Sequence, residues 1–176
     1  MDASAVTEFL AAHQALLPFV ATALAAAETT AFLSVLIPST ALLMAVGASV
    51  STGALPFLPV WVGAAIGAII GSSLSFWLGR AFGSRLLTLW PLRDHPDQVQ
   101  RTRDAFARWG YGILILGHFI GPLRPVVFLF AGMSGLRVLP FAVVNTLGAT
   151  AWAFVVPKTG ELGGDVIGWF WQFMGL

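Results

Sequence analysis

Charge is the property this sequence has least of. Only 10% of its 176 residues are Asp, Glu, Lys or Arg, where a soluble domain carries about 25%. With 57% hydrophobic residues and a mean hydropathy of +0.85, the chain cannot present a water-compatible surface, and it reads as an integral membrane protein of the all-α class. Cysteine is absent, which excludes disulfides, thiolate metal sites and a cysteine nucleophile. No HExxH, GxSxG or P-loop pattern occurs, and the three His are scattered at positions 13, 95 and 118. These absences predict no metal, no cofactor and no enzyme. Nine Lys and Arg against eight Asp and Glu leave no basic excess for nucleic acid. Asp2 and Glu8 precede the first apolar run without any Lys or Arg, so a signal peptide is not expected, although Ala23-Leu24-Ala25 resembles a cleavage site.

What is present is apolar sequence cut into pieces. The length suits one domain with about four spans of about 20 residues, and no separate soluble domain is expected. Residues 9–27 give a first span, interrupted by His13, Gln14 and Pro18. Residues 31–37 and 41–50 flank Pro38-Ser39-Thr40, and each is too short to cross, which is the pattern of a re-entrant hairpin. Residues 57–78 form the clearest span. Along it Gly63, Gly67, Gly71, Ser75, Gly79 and then Gly83 recur every fourth residue, a stripe that lets another backbone approach closely.

Residues 80–108 are the one polar stretch, with six of the nine basic residues against Asp94, Asp97 and Asp104. Such an arginine-rich loop is expected on the cytoplasmic side. Within it, residues 97–109 place Val99, Phe106 and Trp109 on one helical face, which predicts an interfacial amphipathic helix whose arginines meet either lipid phosphates or water. Residues 111–119 and 126–133 are again short arms. Residues 139–156 span, with Asn145 and Trp152 inside, and Pro157-Lys158-Thr159-Gly160 ends the segment. Residues 161–176 carry Trp169, Phe170, Trp171 and Phe173 and make either a short last span or an interface-seated helix.

The chain is organised around residues 118–133, where His118, Arg124, Pro122 and Pro125 interrupt apolar sequence. An arginine at membrane depth costs about 2.5–3.5 kcal/mol on insertion scales, so something must answer its charge. Pro122 and Pro125 are expected to break any continuous helix through Gly121–Pro125, leaving a tip between two half-helices. Shifting the chain on itself by 84 residues superposes Pro38 on Pro122, Thr40 on Arg124 and Leu55-Pro56-Phe57 on Leu139-Pro140-Phe141. Each half then reads hairpin, turn, span: 28–80, a cytoplasmic amphipathic loop over 81–110, and 111–160. One span separates the hairpins, so they enter from opposite faces, an inverted repeat that would place a site between the broken helices. The fork of Arg124 suits a phosphate or carboxylate, or else an ion pair for which Glu28 is the candidate partner. Glu28, the one acid between Glu8 and Asp94, either closes the first span at the surface or faces the hairpins as a protonatable group. His118 is a proton carrier or a helix-to-helix hydrogen bond. Ser39 and Thr40 offer hydroxyls at the first tip, or bond back to their own helix.

These residues resemble the DedA family of bacterial membrane proteins, relatives of the SNARE-associated Golgi or VTT-domain proteins. The resemblance runs from Glu28 to about Gly164 and is carried by Ile37-Pro38-Ser39, the run from Gly71 to Arg80, Phe119-Ile120 with Arg124, Ala131-Gly132-Met133, and Phe141, Asn145 and Trp152. It implies two inverted re-entrant hairpins with transmembrane helices, a multi-pass place in the bacterial cytoplasmic membrane, and transport of phosphate-bearing lipids, either undecaprenyl phosphate with ion coupling or a phospholipid. Three positions depart from the family pattern: Thr40 and Ser72 stand where acids are frequent, and His118 where an arginine is frequent. The expectation is a flippase in which Arg124, Thr40, Ser39, Pro38, Gly121 and Pro122 hold an anionic lipid head while Glu28 and His118 carry protons. Its partners would be that substrate and the surrounding lipids, and a homo-oligomer is compatible with the sequence. A membrane-organising scaffold is the alternative, and a lipid phosphatase ranks last.

Overall fold

The computed structural model describes residues 14–31, 56–89, 92–120 and 124–173, the last of these beyond residue 159 as backbone alone. Every regular element among the described residues is a helix. Helix α1 covers Leu17–Thr29 after a single 3-10 turn at Gln14–Leu16. Pro18, read from the sequence as an interruption, falls in the first turn of α1, where a missing N–H leaves no hydrogen bond unmade. Residues 1–13 and the first tip with Pro38, Ser39 and Thr40 lie outside the described residues.

Helix α2, Phe57–Phe82, is about 39 Å long at 1.5 Å per residue. Its small-residue stripe lies where two other backbones come closest. A Cβ added at Gly63 would overlap the carbonyl of Pro18, at Gly67 that of Thr22, and at Gly71 the Thr29 hydroxyl. Thr22 Oγ1 donates to the Gly63 carbonyl across this contact at 2.9 Å. Ser75, the one hydroxyl in the stripe, donates to the Thr29 carbonyl at 2.9 Å and accepts the Ala31 amide at 2.8 Å, which satisfies the frayed end of α1. Gly79 lies against the Leu129 carbonyl on helix α5, Arg124–Met133. The stripe stops there. Gly83 meets no neighbour and instead ends α2 at φ +56°, a backbone conformation that costs glycine little.

Helix α3, Pro96–Trp109, turns Val99, Thr102 and Phe106 inward, so the amphipathic face packs on the protein rather than on lipid. Trp109, expected on that face, is 61% exposed. Helix α4, Gly112–Gly117, and α5 follow as two short helices on either side of residues 121–123, which lie outside the described residues together with Gly121 and Pro122. Helix α6 is continuous over Val138–Phe173. Pro157, expected to end the span, is accommodated within it, as prolines are in membrane helices when neighbours satisfy the freed carbonyl. The first 22 residues of α6, Val138–Thr159, are long and apolar enough to cross a membrane, as is α2.

Helices α2 and α6 run antiparallel, with contacts at both ends. Arg80 donates to the Leu136 carbonyl at 3.1 Å and Phe76 stacks on Phe141 at 3.9 Å between centroids. At the other end Trp61 Nε1 donates to the Thr150 carbonyl at 3.2 Å, and Lys158 sits 5.6 Å from the Phe57 ring. The outer faces carry exposed Leu58, Val62, Ile66, Ile70, Leu74 and Trp77 on α2, and Leu139, Val143 and Leu147 on α6. From Leu58 to Trp77 is about 28 Å, close to the hydrocarbon thickness of a bilayer. Thermal unfolding in detergent tests the stripe: Gly67→Leu or Gly79→Leu should lower stability by about 3 kcal/mol or more, because backbone atoms cannot step aside. Gly112→Ala, with open space around it, should change stability little.

Candidate functional site

Arg124 is the first residue of α5, and Glu28 lies in the last turn of α1. Each stands at the wrong end of its helix dipole, a cation at the positive end and an acid at the negative end, so neither charge is placed to stabilise its own helix. They answer each other instead. Arg124 Nη1 donates to Glu28 Oε1 at 2.6 Å, in a position where the arginine is 1% exposed. Arg124 Nη2 donates to the carbonyl of His118, and the guanidinium lies 4.4 Å from the centroid of the Trp152 ring. A desolvated cation–π contact of this kind contributes on the order of 2 kcal/mol. Trp152 is itself fixed in a cluster whose other buried members are Ala21, Ala25, Ala64, Ala68, Ala149 and Ala153, with Trp61, Ile69 and Val156 packed against it.

His118 caps α4. Its Nε2 is 3.1 Å from Asn145 Oδ1 on α6, and its ring is tilted over Phe128 at 4.7 Å between centroids. Gly148 makes this possible, since a Cβ there would lie 2.7 Å from the imidazole Cδ2. The imidazole thereby fixes on α6 the same residue whose carbonyl receives Arg124. Three buried polar atoms in this group have no hydrogen-bond partner among the described residues: Arg124 Nε, His118 Nδ1 and Asn145 Nδ2. Such atoms normally cost about 1–3 kcal/mol each.

The structure therefore brings together Arg124, Glu28 and His118. Pro38, Ser39, Thr40, Gly121 and Pro122 lie outside the described residues. Asn145 and Trp152 received no role from sequence reasoning. The signal was available: Phe141, Asn145, Gly148, Ala149, Trp152 and Ala153 recur at the three-and-four spacing of one helix face, and all are buried. Among the described residues no group of three His, Asp or Glu is placed to hold a metal ion.

Residues 37–162 match the family profile described as the VTT domain. The chain is 31% identical over 140 residues to the inner membrane protein YabI of Escherichia coli strain K12, covering 80% of this chain and 55% of that protein. It is 32% identical over 121 residues to the inner membrane protein YohD of the same strain, covering 69% of this chain and 62% of that protein. A membrane protein of Buchnera aphidicola from Schizaphis graminum is 28% identical over 125 residues, covering 71% of this chain and 50% of its own. The chain spans about half the length of the curated relatives it matches. No solved structure matches it.

A double-mutant cycle tests the buried pair. Arg124→Leu and Glu28→Leu should each cost about 3–5 kcal/mol, because each strands a buried charge, whereas the double variant should recover most of that loss. Additive losses would mean the two charges are not coupled. Gly148→Val should displace the His118 ring and weaken the fold by about 1–3 kcal/mol.

Proposed function

The chain belongs to the VTT-domain, or DedA, family of membrane proteins, and from that membership and the buried guanidinium we propose that it carries phosphate-bearing lipids across the bacterial inner membrane. The observation that carries the reading is the state of Arg124: permanently charged, buried, and paired through Nη1 with one carboxylate. In this reading α4 and α5 are the arms of a re-entrant hairpin. Their lengths support it, at six and ten residues, since a crossing needs about 20. So does their setting: α3 before them and Leu136 after them share one hydrophobic cluster, so the chain enters and leaves by the same end.

The chemistry follows from the charges. Glu28 holds the place of an anion beside Arg124 while no substrate is bound. A phosphate head entering from the leaflet exchanges with that carboxylate, and one of its oxygens takes the charge-assisted hydrogen bond from Nη1. Two anions beside one cation in a low dielectric repel strongly, so Glu28 takes up a proton as the phosphate arrives and releases it when the phosphate leaves. Trp152 holds the guanidinium plane through the exchange, and the acyl or prenyl tail stays in lipid. YabI and YohD, to which the chain is similar, are inner membrane proteins, which supports the same location here.

Reconstituted vesicles with labelled undecaprenyl phosphate or labelled phospholipid test this. Wild type should move one of these lipids between leaflets, Arg124→Gln should reduce the rate at least tenfold, and Arg103→Ala on exposed α3 should not. Glu28→Gln should retain lipid binding while its transport loses dependence on a proton gradient. Release of inorganic phosphate, or equal rates in Arg124→Gln and wild type, would overturn the proposal.

A further inference from the structure

Seven of the nine cationic side chains lie between the last turn of α2 and the entry to α6: Arg80, Arg85, Arg93, Arg101, Arg103, Arg108 and Arg137, all exposed. Three acids share that end, and two of them are engaged: Asp94 pairs with Arg93 at 3.1 Å, and Asp104 accepts from Gln100 at 3.0 Å. Arg80 and Arg137 stand apart from these. Arg80, in the last turn of α2, reaches the Leu136 carbonyl at 3.1 Å and lies 5.8 Å from the Trp77 ring, which holds it beside Arg137 at the entry to α6. Neither forms an ion pair with an acid among the described residues.

Directly inward of these two guanidinium groups the surface becomes apolar. Leu74 and Trp77 on α2, and Val138, Leu139 and Val143 on α6, are exposed, Leu139 to 75%. Two exposed cations at the head of two exposed apolar stripes form a surface that water suits only at its outer edge and hydrocarbon only at its inner part. An amphiphile with an anionic head matches both parts at once.

We propose that the corner where α2 ends and α6 begins binds an anionic phospholipid, its phosphate on Arg80 and Arg137 and its acyl chains along Trp77 and Leu139. This site is separate from Arg124, which is buried and ringed by Glu28, His118 and Trp152. It does not depend on transport, and it makes the protein selective for the composition of the leaflet that faces its arginine-bearing end.

Native mass spectrometry of the purified chain in detergent, with phosphatidylglycerol and phosphatidylcholine added at equal concentration, tests the proposal. Wild type should retain phosphatidylglycerol at least fivefold over phosphatidylcholine. The Arg80→Gln/Arg137→Gln double variant should lose that preference, and the Arg80→Lys/Arg137→Lys variant should keep most of it, which separates lost charge from a damaged fold. Arg93→Gln, whose cation is already paired with Asp94, should retain the preference. Equal retention of the two lipids by wild type, or an unchanged preference in the double glutamine variant, would overturn it.

Discussion

One charge in an apolar interior governs this structure. The Arg124 guanidinium cannot be neutralised by losing its proton, and at 1% exposure it has no water to turn to. Four elements converge to hold it: Glu28 from the end of α1, the His118 carbonyl from the end of α4, the Trp152 ring from the middle of α6, and α5, on which it begins. Replacing a buried ion pair by well-packed apolar side chains is often neutral or stabilising. Stability alone therefore gives weak grounds for a guanidinium here. An exchangeable anion partner at Nη1, where Glu28 now sits, gives stronger ones.

The remaining architecture serves to bring those four elements within reach. Small residues on α2 let α1 and α5 approach to backbone contact, and Ser75 closes the hydrogen bonds at the frayed end of α1 next to Glu28. Helix α6 crosses antiparallel to α2 and presents Asn145, Gly148 and Trp152 on one face. Gly148 gives the imidazole room, Asn145 orients it, and the His118 carbonyl is thereby set for Arg124.

Much of this is legible in the residues because membrane helices obey few rules. The two long apolar runs, the amphipathic helix after Pro96 and the period-four stripe follow from composition and spacing, and α2, α3 and α6 lie where those patterns put them. Prolines mislead. Pro18 in a first turn breaks no hydrogen bond, and Pro157 lies within a helix that continues to Phe173. Gly83 keeps the spacing of the stripe but serves as a helix stop, a difference of backbone angle that spacing does not encode. Arg124, Glu28 and His118 stand out because a polar group in apolar sequence needs a reason. Their partners Asn145 and Trp152 are harder to assign, since which turn of α6 faces α4 and α5 depends on helix register, and register is settled by packing around Gly148 and the alanine cluster.

The central claim is that Arg124 exchanges Glu28 for the phosphate of a lipid. An experimental structure of the protein in a lipid nanodisc, with a phosphate-bearing lipid bound, measures this directly. The account predicts a phosphate within hydrogen-bonding distance of the Arg124 guanidinium, with the Glu28 carboxylate moved off Nη1 and Trp152 still beneath the plane. A bound lipid whose phosphate lies elsewhere while the Arg124 to Glu28 pair stays closed would contradict it.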